Sequence, residues 1–429
     1  MDVSVSLVVI GVLVLCAYIL NALFDKLRIP NALFLLLIGL VFGPILHLID
    51  PGDFGKTGSV FVNVTLIIIL FESSTKINIK ELASSIGSAM GISLSNYIIG
   101  VAVSTACLYY FIDGIPVLSS LFFGAIIAGT SSAIVIPIVR QLKLSKKAEN
   151  VLIMESALSD VLALVIGISI MSALVSNELS ITGMFSSLLE TLLLSILLGA
   201  VAGYIWAIAY SKIGTIQTHG FISLALILAF AGGVDLIGLN AGIATLGFGL
   251  VFSNSHLMNT DKLLLLKCKK MEVHEESFFS EVSFLIQTLF FVYIGIHMKL
   301  DNLSSFAIAG LILFFIVLTR PFVTKIFIRK PMPTRDLASV SMLFPKGIVP
   351  AILATMPLQL GLAYGAEIKD VAYSTVLLSI VLSSVLVLVA SMSKSSLLSF
   401  KWLFQSTENG LEITEEQEIV EQKDSELPE

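Results

Sequence analysis

ENVLIMESALSDVLALVIGISI, residues 149–170, puts two conflicting demands on one segment. From Val151 onward it is apolar and long enough to cross a bilayer, which takes about 20 residues of helix. Yet Glu155 and Asp160 lie inside that run. A charged side chain at membrane depth costs roughly 3 kcal/mol or more and marks a functional site by default. The two acids are five residues apart, about 140° around a helix, so they face different neighbours. Ser156 and Asp160 are four apart and share a face; Glu155 and Ser159 share the next one. One helix thus presents a carboxylate with a hydroxyl one turn away and aims a second carboxylate elsewhere. A carboxylic acid shielded from water holds a proton more readily than one in water, so such a group can trade a proton for a small cation near neutral pH. The plainer alternative is that both acids are ion-paired packing elements.

The rest of the chain supports a membrane setting. Of 429 residues, 56% are hydrophobic and 13% charged, against about 25% charged in soluble proteins. Apolar runs recur at about 4–22, 31–49, 58–74, 85–111, 116–141, 148–175, 183–212, 218–235, 238–254, 277–298, 303–328, 336–360 and 367–391. That predicts an all-α polytopic membrane protein of about thirteen spans. Period-two alternation is absent from these runs, which excludes a membrane barrel. With the first terminus outside, eighteen lysines and arginines fall in inner loops and three (Lys56, Lys299, Lys369) in outer ones. This asymmetry predicts an outside N-terminus and a cytoplasmic C-terminus. The start lacks the basic stretch of a signal peptide and reads as a retained helix. The net charge of −6 is concentrated in the acidic tail, which reads as mobile cytoplasmic chain, residues 397–429. No basic surface suits nucleic acid. Cys16, Cys107 and Cys268 have no pairing or metal spacing.

Two spans are broken. The fifth contains Gly129-Thr130-Ser131-Ser132 and then Pro137; the twelfth contains Phe344-Pro345-Lys346-Gly347 and then Pro350. Seven spans separate them, so the halves have opposite orientation. Paired interrupted segments in two inverted halves point to a transporter's binding site. Arg320, in FFIVLTRPFVTK, is the one arginine deep in a span and is the expected partner of Glu155, since guanidinium suits a fixed bidentate carboxylate pair. Lys346 is expected to neutralise carbonyl dipoles at a half-helix C-terminus. Glu72, Glu190, Asp235 and Glu281 sit near span ends, and the five histidines show no ligand spacing. Neither a protease signature, a nucleotide-binding loop nor a potassium-channel filter is present. A secondary transporter remains.

IPNALFLLLIGLVFGP (29–44), LFESSTKINIKEL (70–82), NAGIATLGFGLVFSN (240–254) and FFVYIGIHMKL (290–300) resemble the monovalent cation/proton antiporter superfamily. ESALSD (155–160), TRP (319–321) and FPKGIVPA (344–351) resemble motifs of its prokaryotic sodium/proton antiporters related to the animal exchangers. The resemblance covers about residues 5–392. It implies a homodimer embedded in the bilayer of a plasma membrane and working as an elevator. The transmembrane domain, 1–396, would divide into dimerisation helices (about 4–74 and 218–298), core transport helices (about 85–175 and 303–391) and a linker helix (about 183–212). It places the transported cation on Asp160, the Ser156 hydroxyl and the Thr130 carbonyl, counts Ser131 beside them in the cation/proton site, and has Glu155 and Arg320 tying core helices together. Three positions depart from the pattern: Ser159 stands where these antiporters have Asn, Ser131 where many have Asp, and Lys346 where they have Arg.

The function implied is exchange of sodium, or else potassium or lithium, for protons, with no resident cofactor and no enzymatic step. Ser159 does not titrate and Arg320 stays charged, which predicts electroneutral one-for-one exchange. Two alternatives are a potassium/proton efflux antiporter, to whose branch the Ser-Ser pattern is closer, and an organic-anion/sodium symporter of related fold. The symporter would need a roomy basic cavity, whereas the candidate site is small and acidic.

Overall fold

The computed structural model describes residues 31–76, 88–142, 144–176, 181–212, 219–258, 273–328 and 332–392, with a few isolated positions besides. The first expected span, apart from isolated positions, lies outside the described residues, as do Cys16 and the acidic tail. Among the described residues every long element is helical: α1 (Asn31–Leu40), α2 (Gly55–Thr75), α3 (Ser88–Phe111), α4 (Val117–Ala128), α5 (Ser132–Leu142), α6 (Lys146–Ser176), α7 (Ile181–Lys212), α8 (His219–Leu236), α9 (Ala241–Asn254), α10 (Val273–Ile296), α11 (Leu303–Phe327), α12 (Thr334–Met342), α13 (Ile348–Leu353), α14 (Met356–Gln359) and α15 (Gly365–Met392). Eight helical stretches among the described residues are long and apolar enough to cross a membrane. Helix is the form that satisfies every backbone group within one segment where no water is at hand. α4 with α5 fills the fifth expected run, and α12 to α14 fill the twelfth.

The helices sort into two packed groups. α3 to α6 and α11 to α15 pack on one another, with α6 against α3, α4 and α5. α1 packs on α10, α2 on α9, and α7 lies along α9. A Cβ at Gly199 or Gly203 of α7 would run into the backbone of Ala244 or Phe248. Small residues let membrane helices approach this closely where no hydrophobic drive separates protein from lipid. Phe71, Phe248, Phe252 and Phe279 fill the centre of this second group.

Both broken spans lie in the first group. α4 stops where Gly129 turns extended (φ −61°, ψ 151°), and α5 starts three residues later. A Cβ at Gly129 would come within 2.9 Å of the Ser159 carbonyl oxygen, so a side chain there would push α6 away. Residues 343–347 run without helix between α12 and α13, and Pro345 has no N–H with which to continue one. The two extended stretches cross, with the Ser131 amide donating to the Pro345 carbonyl at 2.8 Å. A Cβ at Gly347 would land on the Ser131 hydroxyl, so glycine permits the crossing.

Candidate functional site

A helix broken at membrane depth leaves amide donors at one new end and carbonyl acceptors at the other, with opposite partial charges. The carbonyl end here is Ala128, whose oxygen accepts from Lys346 Nζ at 3.0 Å. Lys346 is 1% exposed. The amide end is Ser132, and it faces Asp160. Oδ2 of Asp160 accepts from the Ser132 backbone N–H at 2.9 Å and from its hydroxyl at 2.6 Å. Oδ1 accepts from no described residue. Asp160 is half-buried. Each broken end thus meets a side chain of the opposite charge, and one carboxylate oxygen is left over.

Ser159 fastens α6 to the break. Its Oγ accepts from the Thr130 amide at 2.9 Å and lies 3.2 Å from the Thr130 carbonyl and 3.1 Å from that of Ser156, to either of which it can donate. Thr130 is buried beside it. Ser156 is fully buried, and its hydroxyl donates to the Ile153 carbonyl at 3.0 Å. Ser131 is turned to Gly347 of the crossing chain. Of the expected cation set, Asp160 and Thr130 sit at the break, while the Ser156 hydroxyl donates to Ile153 and the Ser131 hydroxyl lies against Gly347, each keeping oxygen lone pairs. The hydroxyl on Asp160 comes from Ser132.

The expected ion pair is present. Arg320 of α11 donates bidentately to Glu155, Nη1 to Oε1 at 2.7 Å and Nη2 to Oε2 at 3.1 Å. The same guanidinium donates to the carbonyls of Ser341, Val340 and Leu343 at 3.1, 3.0 and 3.3 Å. These belong to the carbonyl end of α12, so Arg320 caps the second break as Lys346 caps the first. Asn96 of α3 completes the cluster, donating from Nδ2 to Glu155 Oε1 at 2.9 Å. A search confined to ionisable residues passes over Asn96, yet an amide in SLSNYIIGVAV is itself a signal. Farther off, Glu72 pairs with Lys76 one turn on. Asp235 and Glu281 are exposed. No group of three His, Cys, Asp or Glu placed for a metal ion occurs among the described residues.

The model of one transmembrane family, the sodium/hydrogen exchangers, matches residues 11–391. The chain belongs to the sodium/hydrogen exchanger family. It is 27% identical over 354 residues to a probable sodium/proton antiporter of Methanocaldococcus jannaschii, across 77% of this chain and 79% of that one. It is 24% identical over 383 residues to a potassium/proton antiporter of Shewanella baltica, across 84% of this chain and 62% of that longer relative. The chain's fold is also that of a sodium proton antiporter from M. jannaschii solved at pH 8, with a TM-score of 0.69, 21% identity, and coverage of 90% of this chain and 100% of that one. It is a multi-pass membrane protein of an ion-transporting antiporter family.

Proposed function

We propose that the chain exchanges a monovalent cation, sodium foremost, for a proton at Asp160. The observation that carries this reading is the Asp160 carboxylate in a break of the membrane-spanning helices, with two donors on Oδ2 and, among the described residues, none on Oδ1. One open carboxylate oxygen takes either a proton or a small cation, and both loaded states have the same charge. Thr130, which Ser159 holds in place, offers a backbone oxygen for the cation. Glu155 and Arg320 are committed to each other, which leaves Asp160 to carry one proton for one cation; Lys346, bonded to the neutral Ala128 carbonyl, is the group that would carry a second.

The two packed groups support an elevator. α3–α6 and α11–α15 would move as a core against a scaffold of the remaining helices, and the scaffold would pair two copies in a plasma membrane. α7, the expected linker helix, lies along α9 of the scaffold and also touches α6 of the core. A cavity of about 440 Å³, lined by Asn63, Ser172, Asp235, Asn240 and Gln359 among others, opens between core and scaffold. Ile168 of α6 lines its wall, and by lysine placement the cavity lies toward the outer side.

Dye-quench measurement on proteoliposomes, adding sodium, potassium and an organic anion in turn, tests the proposal. Proton movement with sodium and none with the anion is expected. Absence of proton movement with either metal ion overturns it.

A further inference from the structure

We propose that Ser132 sets how this site discriminates sodium from potassium, by loading Asp160 Oδ2 with two donors at once. The inference rests on the exchange reading and deepens it. Ser132 is the first residue of α5, so its N–H has no acceptor inside the helix. Its hydroxyl and N–H converge on a single carboxylate oxygen at 2.6 and 2.9 Å. Electron density drawn to two donors is density withheld from an ion at Oδ1. The buried Lys346 ammonium, although bonded to Ala128, adds its positive charge to the same crossing.

Field strength acts on the two cations unequally. Sodium is smaller and gains more from a strong anionic field, but it costs more to dehydrate. As the field weakens, that gain shrinks faster than the dehydration cost, and potassium becomes competitive. A carboxylate with both oxygens free would favour sodium steeply. With Oδ2 loaded, the preference narrows. Ser131 has no such influence, because its hydroxyl is turned to Gly347.

A graded series at one position isolates the effect. Ser132→Thr keeps both donors, Ser132→Ala removes the hydroxyl, and Ser132→Pro removes the hydroxyl and the N–H. Proline is well tolerated at a helix's first residue, and the non-helical Ser131 before it suits the restriction proline imposes. The readout is the ratio of apparent KM for potassium to that for sodium, measured in proteoliposomes at one pH. Both cations compete with the same proton, so changes in proton affinity cancel from the ratio. The Thr variant is expected to match the parent, while the ratio rises about threefold in Ala and about tenfold in Pro, the scale of one and two lost charge-assisted hydrogen bonds partly compensated by water. Exchange that persists in Ala or Pro with the parent's ratio overturns the role of Ser132 and leaves the exchange reading standing. Should Pro fail to fold, the Ala and Thr variants decide the matter between them. A parent that moves protons with neither cation overturns the exchange reading first and this inference with it.

Discussion

Breaking the Glu155–Arg320 pair from its two ends should give unequal losses. The side chains are 2% and 4% exposed, so neither charge has water to fall back on. Removing one member of a buried pair costs about 3–5 kcal/mol, because the other is left uncompensated. In Glu155→Ala the guanidinium keeps its bonds to Val340, Ser341 and Leu343 and its place near the Phe344 ring, 5.6 Å away. That variant belongs near the low end of the range, about 3 kcal/mol. In Arg320→Ala the carboxylate keeps only Asn96 as a side-chain donor, and three carbonyls at the end of α12 lose theirs. With about 1 kcal/mol for each carbonyl that water does not reach, the loss is about 5 kcal/mol or more. Removing both charges as Glu155→Leu with Arg320→Met should cost less than Arg320→Ala alone, since no unpaired charge remains. Apparent melting in detergent at one scan rate, followed by tryptophan fluorescence, orders the four proteins as parent, Glu155→Ala, double variant close to it, Arg320→Ala. Single variants that melt with the parent would refute the pairing energetics. A double variant less stable than Arg320→Ala would refute the account of where the cost arises.

Three further outcomes follow from the same geometry. Asp160→Asn should abolish exchange while the protein elutes and melts as a folded particle, because Asn matches the shape but neither ionises nor takes up a proton; substantial residual exchange would place the carrier elsewhere. Sodium-driven proton flux in proteoliposomes clamped with potassium and valinomycin, corrected by a sodium-free control, should reverse at a point indifferent to voltage, and a reversal point that moves would bring in a second carrier. His297, beyond the end of α10, stacks on Tyr293 and packs near Phe54; burial pushes its imidazole down to about 4 from 6.5. Between those pH values the unfolded chain binds the extra proton, so stability falls as pH drops from 6.5 towards 4; His297→Asn should flatten that slope, and an unchanged slope would remove His297 as its source.

The broad architecture was legible because lipid admits few solutions. Long apolar runs must be helices, and Gly129 and Pro345 inside such runs must break them. The Glu155–Arg320 pair was equally legible, because two lone opposite charges in hydrocarbon have few other places to go. Rotation at the break was not legible. Helical periodicity stops at Gly129, so nothing in the spacing says whether Ser131 or Ser132 turns to Asp160; the crossing with Gly347 decides it. Ser156 shows a different ambiguity. Its four-residue spacing from Asp160 places it on the right face, but a buried serine can also donate back to its own helix, as it does to Ile153. Asn96 reaches Glu155 across 59 residues of sequence, and no local pattern reports such a contact. Lys346 met the expected kind of partner on an unexpected helix. The carbonyl end it caps belongs to α4, while Arg320 takes that of α12.

That exchange of caps bears on why transport would be coupled at all. Arg320 balances Glu155 and Lys346 balances Asp160, so the core with an empty, ionised site carries no net charge from these four groups. Coupling must then come from a local penalty rather than a global one. Oδ1 of an ionised Asp160 has no donor, so on the proposed cycle it depends on water for as long as the site is open. Sliding the core past Leu70 and Gly242 of the scaffold would strip that water away. An ionised carboxylate forced dry costs several kcal/mol, on the order of a thousandfold or more in rate. A bound proton or a bound sodium ion removes that cost equally. Both loaded cores have gained one positive charge, so the membrane potential favours neither direction of the paired exchange. On the proposed cycle, Asp160 alone would then be sufficient to forbid the empty core from crossing and to make the two loaded crossings electrically identical.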